Sequence, residues 1–247
     1  MHTPRLPPTL RALLALLIVP AVASCAPAAN GTAARVAAPP PRVDAPLASH
    51  SGDATAVLAG GCFWGMQWVF EHVPGVTNVI SGYSGGAAAT ATYEQVSQGD
   101  TGHAETVRIH FDPSKVSYGQ LLRVYFSVAT DPTELNRQGP DTGTQYRGVI
   151  FYADAEQARI ARDYIAQLTA AQAFAAPIVT QVVPFEAFYP AEDYHQDYAR
   201  LHPDTPYIAI NDAPKVVALQ RELPALYRAQ PVIWHDANPK VISVDVH

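Results

Sequence analysis

Gly60-Gly61-Cys62-Phe63-Trp64-Gly65 is the segment best equipped for chemistry. Its two leading glycines let backbone approach a ligand closely. A thiol follows them, and two large flat apolar side chains follow the thiol. Thr55 to Ala59 reads as a short buried strand and Phe63 to His72 as a helix, so Cys62 falls at a strand-to-helix junction. Free amide donors and the macrodipole favour negative charge at a helix start. The expectation is a Cys62 thiol of lowered pKa, a nucleophile beside an aromatic pocket. Taken alone, the same residues read more readily as an inert cysteine among core aromatics, since free cysteine is commonly buried.

Composition narrows the rest. Cys25 is the only other cysteine, which excludes a disulfide-stapled scaffold and a four-cysteine zinc site. The nine histidines lack ligand-like spacing, and no metal site is expected. Sixteen basic against 22 acidic residues give a net charge of −6, which argues against phosphate-driven nucleic-acid binding. With 48% hydrophobic and 15% charged residues the chain can fill a core. Its 247 residues suit one domain with extras.

Several elements must position the hexad. Val76 to Tyr83 and Glu105 to Phe111 alternate as strands, bounded by Pro74-Gly75, Ser84-Gly85-Gly86 and Asp112-Pro113. Tyr118 to Ala129 reads as an amphipathic helix, with Leu121, Leu122, Tyr125, Phe126 and Ala129 on one face. Arg147 to Tyr152 is a strand, and Asp154 caps a helix reaching about Ala171. Ile178 to Val183 follows as a strand and Glu192 to Leu201 as a short helix. This order predicts an α+β fold, a mixed sheet covered by helices in a ferredoxin-like two-layer sandwich. The catalytic domain is expected over 55–212. Residues 213–247 read as a terminal helix, kinked or broken at Pro224, and a tail.

The N-terminus reads as an address. Residues 1–24 carry Arg5 and Arg11, an apolar run from Ala12 to Val19, and small residues from Ala21 to Ser24, the layout of an export signal. The run is shorter than the ~20 residues of a transmembrane helix. Residues 25–54 are rich in Ala and Pro without an apolar period, and a disordered tether is expected there. Val22-Ala23-Ser24-Cys25 resembles a bacterial lipoprotein box. The resemblance implies cleavage before Cys25, lipidation of Cys25, and a membrane-anchored place in the cell envelope facing the periplasm. Ala26 favours the outer membrane by analogy. An ordinary secretory peptide is the alternative.

From Ala56 to His202 the chain resembles the A-type peptide methionine sulfoxide reductases. The hexad carries the resemblance together with Gly82-Tyr83-Ser84-Gly85-Gly86, Thr92-Tyr93-Glu94-Gln95-Val96 and Gly99-Asp100-Thr101-Gly102-His103-Ala104-Glu105. Asp131-Pro132, Arg137-Gln138-Gly139, Asp141-Thr142-Gly143-Thr144-Gln145-Tyr146-Arg147 and Ala191-Glu192-Asp193-Tyr194-His195-Gln196 extend it. The resemblance implies reduction of the S epimer of methionine sulfoxide, free or in oxidised proteins, a repair reaction of oxidative stress. By the same resemblance Cys62 is the nucleophile that becomes a sulfenic acid. Glu105 is a protonated acid, and Tyr93 and Tyr146 hydrogen-bond the sulfoxide oxygen. Asp141 holds the site and its waters, and Phe63 and Trp64 form the pocket for the S-methyl group. His103 and His195 read as structural hydrogen-bonders.

The chain departs from the family pattern in one respect. Many members carry later cysteines that resolve the sulfenic acid, and none follows Cys62 in these 247 residues. A one-cysteine cycle is therefore expected, with no bound cofactor. An external thiol, either a thioredoxin-like protein or a small molecule, would serve as reductant to a monomeric enzyme. The rival readings are another one-cysteine thiol enzyme such as a peroxidase, a Cys/His/Asp hydrolase using His103 or His195, and a non-catalytic binding lipoprotein.

Overall fold

The computed structural model describes residues 1–2 and 37–234. The chain separates into two compact units, 1–34 and 35–247, and the fold below is that of the second. Apart from Met1 and His2, the expected export signal lies outside the described residues, as does the expected lipid-anchor position Cys25.

In chain order the elements are β1 (Ala54–Ala59), α1 (Phe63–Glu71), β2 (Val76–Ser84), α2 (Tyr93–Val96), β3 (Ala104–Phe111), α3 (Tyr118–Val124), β4 (Arg137–Gln138), β5 (Asp141–Thr142), β6 (Val149–Tyr152), α4 (Ala155–Ala170), β7 (Gln181–Pro184), β8 (Tyr189–Pro190), α5 (Tyr198–Leu201) and α6 (Ala213–Glu222). A six-stranded sheet runs β7-β6-β1-β3-β2-β8. Neighbouring strands are antiparallel except β6 and β7, which run parallel. The inner four, β6-β1-β3-β2, alternate with α1 and α3 in the split βαβ arrangement of a ferredoxin-like sandwich. The mixed α+β fold thus agrees with the sequence.

Strand alternation sorts the two faces. Ala56 and Leu58 of β1 enter the main core with Val107 and Ile109 of β3, against the helices. Val57 and Ala59 face the other way and form a small second core with Val149, Phe151, Phe185 and Phe188. Helix α3 begins with a reciprocal capping box between Ser117 and Gln120, a device worth about 1 kcal/mol. Asp154 caps α4 by accepting from the Gln157 amide at 2.8 Å.

Two expected helices are shaped by tertiary contacts. After Val124 the chain winds as a wider π turn over Tyr125–Ala129. This turn buries all five of its residues and lets the Tyr125 hydroxyl donate to the Ala59 carbonyl at 2.8 Å. The segment 192–201 is split into a 3-10 turn at Asp193–His195 and α5, with Asp197 left-handed at φ 55°. The Gln196 side chain explains the break. Its carboxamide accepts from the Ser81 amide and donates to the Ser81 and Ala191 carbonyls, which ties the chain to β2.

Two boundaries need correction. The disordered tether expected over 25–54 does not describe residues 37–53. Ala38 is buried and its amide donates to the Ser127 hydroxyl. Arg42 donates from its amide to Gln167, and the Tyr164 hydroxyl donates to the Pro39 carbonyl. Asp44 accepts from the Gly119 amide and the Ser117 hydroxyl at the start of α3. An extended Ala/Pro segment carries no periodicity, yet helix side chains satisfy its backbone just as well. At the other end the domain does not stop at 212. Helix α6 packs on α1, Arg228 donates to the carbonyls of Glu71 and Val76, and Trp234 is buried. The expected break at Pro224 is present, since α6 ends at Glu222.

Candidate active site

Cys62 is delivered by the end of β1 and sits at the N-cap of α1. Gly61, at φ +96°, makes the turn, and a β-carbon there would come within 2.5 Å of the Gln138 side chain. Only glycine combines that backbone with that proximity. Cys62 is a free thiol, 8% exposed. The expected lowering of its pKa does not occur. Burial pushes the thiol well above its ordinary value, and the neighbouring Glu105 and Asp212 carboxyls push it further. The Trp64 backbone N–H and the Lys215 ammonium pull the other way with less effect. One helix N-terminus does not outweigh desolvation plus two carboxyls.

Glu105 stands near the start of β3 and is 3% exposed. Its Oε2 accepts the Phe63 amide at 3.0 Å. Burial raises the carboxyl to about 8; the Phe63 N–H opposes this, while Asp141 and Asp212 reinforce it. At neutral pH Glu105 is therefore a carboxylic acid with Oε1 left to carry its proton. Burial also raises the Tyr93 and Tyr146 phenols, with the Glu105 carboxyl second, so both remain neutral hydrogen-bond donors. Asp141, half-buried in β5, accepts a hydrogen bond from the Tyr207 hydroxyl. Burial raises its carboxyl, against that hydrogen bond.

These groups share one cavity. A space of about 160 Å³ is lined by Cys62, Phe63, Trp64, Tyr93, Glu105, Asp141, Tyr146 and Tyr207. All seven residues singled out in the folded part of the sequence are brought together. The sequence missed Tyr207, which follows a proline in a stretch without periodicity. It also missed Asp212 and Lys215, which straddle the boundary drawn at 212. Fully buried Asp212 accepts from the Lys215 ammonium at 3.1 Å. It presses on Gly65, where a β-carbon would lie 2.0 Å from Oδ1. That last glycine of the hexad was the available signal that a side chain lies across α1.

The aromatic wall is fixed by polar contacts. Trp64 stacks on Tyr198 at 4.0 Å between ring centres and meets Tyr207 edge-on at 6.1 Å. Its indole N–H donates to His195 Nδ1 at 3.1 Å. An indole N–H only donates, so Nδ1 is unprotonated and the imidazole proton is on Nε2. Burial holds His195 below its ordinary pKa, hence neutral. Glu192 accepts from the Tyr83 hydroxyl at 3.0 Å and from the Tyr93 amide at 2.9 Å, which orients Tyr93 at the start of α2. His103 bridges Gly86 and Ala87 in a loop beside β3.

The chain has known relatives. Residues 54–225 match the peptide methionine sulfoxide reductase family. The chain is 58% identical over 187 residues to peptide methionine sulfoxide reductase MsrA 2 of Mesorhizobium japonicum, covering 76% of this chain and 96% of that one. It is 48% identical over 166 residues to MsrA of Chromobacterium violaceum, covering 67% and 94%. Among solved structures it is similar to methionine sulfoxide reductase A of Corynebacterium diphtheriae, with TM-score 0.53 and 34% identity over 68% of this chain and 85% of that one. Mxr1 of Saccharomyces cerevisiae in reduced form is also similar, with TM-score 0.55 and 28% identity over 65% and 94%. With a family match spanning most of its length and a cysteine, an acid and two phenols on one cavity, the chain belongs to the peptide methionine sulfoxide reductases.

Proposed function

We propose that the chain reduces the S epimer of methionine sulfoxide, free or within oxidised proteins, to methionine, and so repairs oxidative damage. The observation that carries this is the shared cavity, which places a buried thiol with an acid that keeps its proton and two neutral phenols. The sulfoxide methyl group lies against Phe63 and Trp64, and the oxygen takes hydrogen bonds from Tyr93 and Tyr146. Glu105 hands its proton to that oxygen while the Cys62 sulfur attacks the sulfoxide sulfur. The thiol proton returns to the Glu105 carboxylate. Methionine leaves, and Cys62 is left as a sulfenic acid carrying the oxygen. Electrostatics couple the two groups, because an ionised Glu105 raises the thiol. The acid must therefore be neutral both to donate and to let sulfur develop negative charge. Asp141, bonded to Tyr207, holds the cavity wall.

No cysteine follows Cys62 in the sequence, so an external thiol, a thioredoxin-like dithiol or a small molecule, returns the sulfenic acid to thiol. The reading extends to location. Arg5, Arg11, the apolar run and Val22-Ala23-Ser24-Cys25 support an exported lipoprotein of the cell envelope, anchored through Cys25. Cys25→Ala then moves the protein from membrane to soluble fraction with activity intact. Retention in the membrane would refute the anchor.

The deciding assay offers both epimers of a blocked methionine sulfoxide with excess dithiothreitol. Methionine is expected from the S epimer alone. Consumption of neither, or fast peroxide reduction instead, would overturn the reading in favour of a binding protein or a peroxidase.

A further inference from the structure

Cys62 borders two cavities. The second, about 70 Å³, is lined by Cys62 with Gln138, Gly139, Pro140, Asn211 and Lys215. Asp141 and Tyr207 line both, so this hydrogen-bonded pair is their common wall. The two spaces differ in chemistry. The first offers an acid, phenols and aromatic faces. The second adds two carboxamides and an ammonium to the shared Asp141 carboxyl and Tyr207 phenol. Lys215 is 19% exposed and lines the second cavity. Its counter-ion Asp212 is fully buried against Gly65 and lines neither. The lysine of the pair thus lines the cavity while the aspartate is turned into the fold.

Size separates them as well. A water needs roughly 10–15 Å³ of such space. By that measure the smaller cavity takes about five to seven water-sized groups, enough for the reacting end of a thiol, and the larger about eleven to sixteen, enough for a whole sulfoxide side chain. Both reach the same sulfur.

We propose that the second cavity is the route by which the reducing thiolate reaches the Cys62 sulfenic acid, guided by the Lys215 ammonium between Gln138, Pro140 and Asn211. The proposal rests on the sulfoxide reductase reading, which generates the sulfenic acid. The thiolate attacks the Cys62 sulfur, a sulfur–sulfur bond forms and the sulfur–oxygen bond breaks. The oxygen departs as water, taking a proton from Glu105 or solvent. Cys62 sulfur is reduced and the thiol sulfur is oxidised to the disulfide level. A second thiolate attacks the outer sulfur, releases the Cys62 thiolate and carries away a disulfide. Because the second cavity reaches Cys62 past Gln138, Pro140, Asn211 and Lys215, none of which lines the first, recycling by this route does not require the thiol to pass Glu105, Tyr93 and Tyr146.

The test measures recycling on the full chain, pre-oxidised with one equivalent of S-sulfoxide and then mixed with thiol. Mercaptoethanesulfonate, an anion, and cysteamine, a cation, are compared per thiolate. The wild type is expected to prefer the anion, and Lys215→Met to lower the anion-to-cation ratio by roughly tenfold. Lys215→Glu reverses the preference. A ratio within one variant is insensitive to a general loss of Cys62 reactivity. An unchanged ratio in both variants overturns the proposal. Asn211→Trp narrows the cavity and is tested with dithiothreitol and with a thioredoxin-type dithiol protein. Slowing with both, or with one, supports the route and identifies which thiol uses it. Normal recycling with both overturns it. If wild type forms no methionine from either epimer, the reductase reading fails first, and that failure is seen before any thiol is added.

Discussion

Helix α1 has a buried carboxyl at each end, and the two ends behave differently. Near its start, Glu105 is held up to about 8 by burial and faces a cavity beside the Cys62 thiol. At its end Glu71 is 1% exposed, and burial with the neighbouring Asp197 also holds it well above its ordinary value. Arg200 and Arg228 oppose that rise. Around Glu71 the groups are closely packed. Arg228 donates to the Glu71 carbonyl, His72 stacks on Tyr227 at 5.4 Å, and Arg200 pairs with Asp197. The comparison teaches that a displaced carboxyl is not by itself a site. What distinguishes Glu105 is open space, a thiol and two phenols around the same proton.

The comparison can be broken by mutation. Cys62→Ser should bring methionine release down to background, the largest effect, while leaving the fold intact by circular dichroism. Glu105→Gln should slow turnover by about 10²–10⁴-fold, the usual contribution of a general acid. Glu71→Gln should leave turnover within about twofold, since no reacting atom is near it. If the two glutamine variants were equally slow, the distinction between the two ends would be gone.

A pH profile sharpens it. The competent form of Glu105 is protonated, so kcat/KM should fall as pH rises through about 8. Glu71→Gln should retain that limb, and in Glu105→Gln the limb should vanish from whatever activity is left. Stability follows the same proton. The folded pKa of Glu105 exceeds its unfolded value of about 4.3, so the folded state binds more protons between the two. Stability is greatest below the unfolded value and declines as pH rises through the folded one. Chemical denaturation at pH 9 should therefore find Glu105→Gln more stable than the wild type, and at pH 4 the advantage should be gone. A further effect, on stability, belongs to the aromatic wall. Trp64→Phe keeps a ring against Tyr198 but strands the buried His195 Nδ1, at a cost of about 1–3 kcal/mol in denaturation.

Much of this was legible in the chain. Alternation over 76–83 and 105–111, the capping residue Asp154 and the turn residues around Cys62 predicted β2, β3, α4 and the junction that holds the thiol, because these depend on local geometry. The strap at 37–53 was not legible, because Ser127, Gln167 and Tyr164 satisfy its backbone from far away in sequence, and its Asp44 in turn accepts from the start of α3. The split of 192–201 was hidden for the same reason, since Gln196 answers to Ser81.

By itself the sequence determined the order of the main strands and helices, because local periodicity suffices for those, and its ordered family motifs singled out Cys62, Glu105, Tyr93, Tyr146, Phe63 and Trp64. Only the tertiary structure decided that Tyr207 closes the cavity, that Asp212 and Lys215 lie across Gly65, and that the Cys62 thiol is raised rather than lowered. The physical reason is that desolvation and charge act through space. Their sum at a sulfur atom depends on which distant groups are folded against it.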